Sequence, residues 1–233
     1  MATSHLRPLS LSLPQAVATL QQPYPQPEPF HQAASYRAFQ ASLSRLWLSE
    51  GIPYAFRSRP AVYEAIREWL AERLDVHAKD ITIIGSARIG WSLSPQHPWR
   101  PFSPTSDLDL SVISSSLLTR LSTVFDTWAH DFESGALHGF PDGLTRFWPG
   151  NVAFGRRNIP RGFMDADKVP RLPQYPFSQL CGQSMYLIQR AVSSSDLGIQ
   201  PKKVTIRVYR DWAVFIRRLQ MVLPELPPPA SAA

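Results

Sequence analysis

Asp107 and Asp109 lie one residue apart in Ser-Asp-Leu-Asp-Leu-Ser-Val-Ile, whose other residues have the apolar pattern of a buried strand. Side chains at i and i+2 of a strand point to one side, so the two carboxylates project together, about 7 Å apart at the backbone. Burying such charge without a partner costs several kcal/mol, and close repulsion favours keeping one proton on the pair. A divalent cation removes both penalties. Mg²⁺ takes hard oxygen ligands and commonly binds one or two carboxylates together with substrate phosphates. The alternative is a strand end whose exposed aspartates close the turn after Pro104-Thr105-Ser106.

The stretch before the pair bears on that choice. Ile81-Thr82-Ile83-Ile84 leads straight into Gly85-Ser86, where a strand gives way to a tight turn. Glycine lets a phosphate approach the backbone, turn N–H groups offer anion contacts, and the Ser86 hydroxyl adds another. Arg88 follows on the same loop. A phosphate cradle on one strand end, beside a carboxylate pair on the next strand, is what transfer from a nucleoside triphosphate (NTP) requires.

Strand, Gly-Ser, loop, and strand with Asp-x-Asp resembles the signature of the DNA polymerase β-like nucleotidyltransferase superfamily. The resemblance covers residues 60 to about 133 best. It implies an α/β (α+β) fold with a polymerase β-like core, a small mixed sheet flanked by helices. It implies further that Gly85 and Ser86, assisted by Arg88, bind the nucleotide, while Asp107 and Asp109 bind Mg²⁺. A nucleotidyl group would then pass to a hydroxyl or phosphate acceptor as pyrophosphate leaves. Between Ser86 and Asp107 lie 20 residues, more than the family's usual spacing, and the surplus reads as a loop insertion. Its Trp99 and Arg100 could meet a substrate or simply pack the loop.

The family also places a third carboxylate on a later strand facing the first two. The matching strand, Val204 to Tyr209, shows Thr205, Arg207 and Tyr209 on its polar face. Asp211 continues that two-residue phase and is the first candidate for the missing acid. Asp165 is the second, although Met-Asp-Ala-Asp-Lys reads more simply as a turn closed by its own side chains. With Arg207 where an acid is expected, the rival to an enzyme is a catalytically silent relative that binds nucleotide or a partner through its basic second half. A third reading is a nucleic-acid-binding module without nucleotide chemistry.

The elements that must position these residues alternate between helix and strand. Residues 36–49, 60–74, 116–133, 177–193 and 212–222 carry helical apolar periodicity, and 81–84, 108–113 and 204–209 read as strands. Residues 135–176 read as irregular. Residues 1–33, rich in Pro and Gln, and the tail 223–233 read as disordered, leaving 34–222 as the nucleotidyltransferase-like domain with C-terminal helices.

Composition narrows the setting. The chain of 233 residues has a net charge of +6 and one cysteine, Cys181. A single cysteine excludes an internal disulfide framework, and with no apolar run of membrane-spanning length the expectation is a cytoplasmic protein. Cys181 reads as a core thiol. Residues 145–218 hold 13 Lys and Arg against 4 Asp, whereas residues 1–144 balance to −2. That asymmetry points the second half, Arg156, Arg157 and Arg161 included, at an anionic partner, a nucleic-acid or protein acceptor. A solvated basic surface is the alternative. No zinc-ligand spacing, Walker A loop or Gly-x-Ser-x-Gly elbow occurs.

Overall fold

The computed structural model describes residues 12–137 and 143–229. It is a mixed α/β protein built on a four-stranded sheet. The strands are β1 (Ile81–Ile84), β2 (Leu108–Ile113), β3 (Phe163–Asp165) and β4 (Val204–Tyr209), in spatial order β1-β2-β4-β3. β2 and β4 run parallel, and both outer pairings are antiparallel.

Alternation along the strands produces two unlike faces. Ile81, Ile83, Leu108, Leu110, Val112, Val204, Ile206, Val208 and Met164 form one face, almost wholly buried. It packs on α4 (Pro60–Leu74), α6 (Ser115–Glu133) and α8 (Pro176–Ser193). α4 starts with Pro60 in its first turn and stops at Asp75, whose φ of 58° leaves the helical region. α6 is opened by Ser114, whose hydroxyl accepts from the Leu117 N–H.

The opposite face changes character along its length. At one end Ile113, Tyr209 and Phe163 stand level and join a second apolar cluster. That cluster is completed by α1 (Gln15–Ala18), α2 (Pro27–Ala34), α3 (Gln40–Leu46) and α9 (Trp212–Gln220). The middle row holds Ser111, Arg207 and Asp165, and the far row Asp109 and Thr205. The helical cover therefore closes the apolar end, and the polar rows lie towards the other.

Several expectations change here. Residues 15–34 do not lie loose: Phe30 and Ala33 are fully buried, because the apolar end of the second sheet face needs cover. The tail packs too, with Leu223 and Leu226 buried and Pro227 O accepting from Trp99 Nε1 at 2.9 Å. The stretch 135–176 contains β3 and a helix, α7 (Trp148–Asn158). Residues 1–11 and 230–233 of the expected disordered ends lie outside the described residues. Among the described residues no helix is long and apolar enough to cross a membrane.

Candidate functional site

The polar end of the sheet brings together the two stretches that the sequence suggested would cooperate. Ile84 pairs with Asp109 across β1 and β2, so the turn after β1 starts beside that carboxylate. Gly85 takes φ 72° and ψ −153°, a conformation essentially confined to glycine. A Cβ built on Gly85 would stand 3.5 Å from Asp109 Oδ2. Ser86 then opens a single turn, α5 (Ser86–Ile89), that ends at Gly90. Asp107, just before β2, is exposed, and Asp109 is half-buried.

Asp109 is held from its other side by Thr205, its register partner on β4, whose hydroxyl donates to Asp109 Oδ1 at 2.6 Å. Burial raises the Asp109 pKa above the carboxylate value. The Thr205 hydrogen bond opposes the rise, the charge of Asp107 adds to it, and Arg207 and Lys203 draw it back. Thus Oδ1 is committed inside the protein, while Oδ2 faces the Gly85 turn.

One row further in, Arg207 makes a two-pronged ion pair with Asp165: its Nε meets Oδ1, and its Nη2 donates to Oδ2 at 3.0 Å. Burial works against the guanidinium charge, but the Asp165 contacts outweigh it and hold Arg207 protonated, above its ordinary value. At the mouth of β4, on the other side of the Asp109–Thr205 row from Arg207, Lys203 Nζ lies 2.7 Å from Asp167 Oδ2. Sequence reasoning missed Lys203 and Asp167; their signal was position alone, each flanking a strand end.

Two expected site residues stand elsewhere. Arg88 is 4% exposed and turned away from the phosphate turn. Its Nε donates to Trp47 O at 3.2 Å and its Nη1 to Gly51 O at 2.6 Å, with burial lowering its pKa. A guanidinium shut from solvent and committed to two carbonyls is not offered to a nucleotide, so Arg88 fastens the 47–51 loop instead. Asp211 lies at the opposite end of β4 from Thr205. It caps α9, accepting from Val214 N at 2.7 Å and from Arg210 Nε at 2.9 Å. It stands six positions along the chain from Thr205, on the order of 20 Å at strand spacing, so it cannot share an ion with Asp109. Asp165 cannot either, being two strands away with Arg207 on its carboxylate.

Trp99 packs rather than projects, its ring 4.8 Å from that of Trp91. Cys181 is buried, and burial pushes its thiol up to about 12. Arg156 pairs with Glu133.

Among the described residues no group of three or more His, Cys, Asp or Glu side chains could hold a metal. Asp109 beside the Gly85 turn, with Asp107 two residues before it, offers hard oxygen donors of the kind Mg²⁺ takes when phosphates supply the remaining ligands. No family model, no curated protein and no solved structure matches this chain.

Proposed function

We propose that the chain is a nucleotidyltransferase-like binding protein with a polymerase β-like core, which takes an NTP with Mg²⁺ at the polar sheet end and does not transfer it. The observation that carries this reading is the pairing at Asp109: its Oδ2 faces the Gly85 turn, while the level position on β4 is Thr205, not an acid. Gly85 and Ser86 would supply the phosphate side, and Asp107 and Asp109 would hold the ion, whose charge offsets part of the repulsion between the phosphates and the pair. Activation of an acceptor hydroxyl in such chemistry uses a further carboxylate on the same ion, and neither Asp165 nor Asp211 reaches this place. The single cysteine favours a reducing, cytoplasmic setting.

The Asp107–Asp109 pair beside the turn favours a second reading, a Mg²⁺-dependent nucleotidyltransferase working from two carboxylates. One pair of measurements separates the two. Calorimetric titration with each of the four NTPs, with and without Mg²⁺, is expected to give Mg²⁺-dependent binding that Asp109→Ala removes. Incubation with radiolabelled NTP and candidate acceptors is expected to give no transfer and no pyrophosphate. Transfer that Asp109→Ala abolishes would establish the enzyme reading; an absence of nucleotide binding would defeat both.

A further inference from the structure

A cavity of about 750 Å³ opens at the sheet end where β3 finishes and β4 begins. Its walls include Phe147, Asn151, Lys168, Arg171 and Lys203, with Asp167 between the cations. We propose that this cavity docks single-stranded nucleic acid, with Phe147 as the stacking platform and Lys168, Arg171 and Lys203 as the phosphate contacts. The inference uses residues other than those of the nucleotide reading and does not rest on it.

Charge is the first support. Burial would raise the Asp167 carboxyl, yet the Lys203 hydrogen bond, with the charges of Lys203, Lys168 and Arg171, holds it below the ordinary value. Three cations and one carboxylate line the cavity, which leaves two positive charges over around it. The surplus of +9 over residues 145–218 has the same sign, so the approach to the cavity is attractive to a polyanion.

The second support is Phe147. Its 54% exposure leaves a large apolar ring in solvent, a position that core packing does not explain. The Arg146 guanidinium lies over one face of the ring, 4.6 Å from its centroid, so a base would stack on the other face, with that cation behind it. An aromatic ring flanked by cations is how proteins grip unpaired bases and the backbone between them, because every base has a face to stack and every linkage a charge. A duplex keeps its base faces stacked inside, and an acidic peptide has no use for the ring. Asn151, half-buried in the wall, offers an amide to a base edge.

Fluorescence anisotropy with a labelled 12-nucleotide oligothymidylate tests this on the full chain. Three phosphate contacts to a single strand give a log–log salt slope of about −2, so binding should weaken roughly 20-fold between 50 and 200 mM salt. Phe147→Ala should weaken it at least about fivefold, the lower end of what one stacked base is worth, and Phe147→Tyr should keep it. Arg217→Ala with Arg218→Ala removes two cations on α9, outside the cavity lining, and should cost less than twofold. The proposal is overturned if the oligonucleotide does not bind, if Phe147→Tyr loses binding as Phe147→Ala does, or if the α9 double variant loses as much. It is also overturned if the matching duplex or a polyglutamate of equal charge competes equally. Displacement by Mg²⁺-ATP at the same concentration would make the cavity the nucleotide's own site and overturn it too. Failure of NTP titration with oligonucleotide binding intact would count against the nucleotide reading alone.

Discussion

Asp211→Ala separates a capping role from a metal-binding one. The carboxylate accepts the Val214 N–H at 2.7 Å, a first-turn donor that no helical carbonyl can serve. Replacing an Asp cap by Ala costs about 1 kcal/mol, which for a chain of this length lowers Tm by about 2–4 °C. The Val214 hydrogen bond, and then the contacts with Arg210, hold the Asp211 pKa below the ordinary carboxylate value. A depressed folded pKa means that the stabilisation is present above the unfolded value and disappears as pH falls through the folded one. Paired thermal melts of the two proteins should therefore differ at pH 7 and converge as pH falls below the ordinary carboxylate range and through the folded value. Asp211→Asn keeps the capping oxygen and should sit close to the wild type. NTP titration of Asp211→Ala with Mg²⁺ should match the wild type, since the cap lies on the order of 20 Å from Thr205. An unchanged Tm together with lost nucleotide binding would refute the placement.

Gly85→Ala should cost about 1–3 kcal/mol in a urea titration, because φ 72° with ψ −153° strains any residue with a Cβ. The new methyl itself meets Asp109 Oδ2 at ordinary contact distance, so the loss comes from the backbone. NTP binding should weaken in parallel as the turn is distorted. Asp109→Asn should change stability in a pH-dependent way. Burial, with the charge of Asp107 adding, raises the folded Asp109 pKa, so the wild type loses stability as pH climbs from the unfolded value through the folded one. Asn keeps an acceptor for Thr205, so chemical denaturation should find the variant more stable at pH 7 and the gain gone below about pH 4; a gain independent of pH would contradict that cause.

Strands β1, β2 and β4 were legible to the residue because each alternates apolar and polar positions over a segment bounded by turn residues or charge. The three residues of β3 are too few for alternation to show. α7 was hidden by Gly150 and Gly155, poor helix formers within a stretch dense in Gly, Pro and Arg. Gly155 is there for packing: a Cβ would fall 2.2 Å from Phe125 Cε2, so only glycine lets α7 lie against α6. At the site, the order of the two motifs suggested only that the Gly85-Ser86 turn and the carboxylate pair would be neighbours; the register that sets Ile84 beside Asp109 lies in the strand pairing, which a 20-residue loop does not reveal. Spacing could not fix Arg88, whose direction depends on the carbonyls of the 47–51 loop. For Asp211 the two-residue phase was carried past the end of the strand. An Asp immediately before Trp-Ala-Val-Phe-Ile is a helix-start signal, and that signal describes what the residue does.

Thr205 explains how a carboxylate pair can stand at this sheet end without a third acid. Asp109 already carries the cost of burial and the repulsion of Asp107. A further carboxylate at position 205 would add like charge at strand-neighbour distance and force either a proton or a resident ion onto the group. The Thr205 hydroxyl instead satisfies Oδ1 with a neutral donor, and the row behind it is neutralised internally by Arg207 and Asp165. With Oδ1 engaged by Thr205, an ion at Asp109 would rely on Oδ2, Asp107 and oxygens brought from outside. Triphosphate oxygens seated at Gly85 and Ser86 would be such ligands, so cation and nucleotide should bind as one unit: Mg²⁺ weakly alone, and NTP weakly without it.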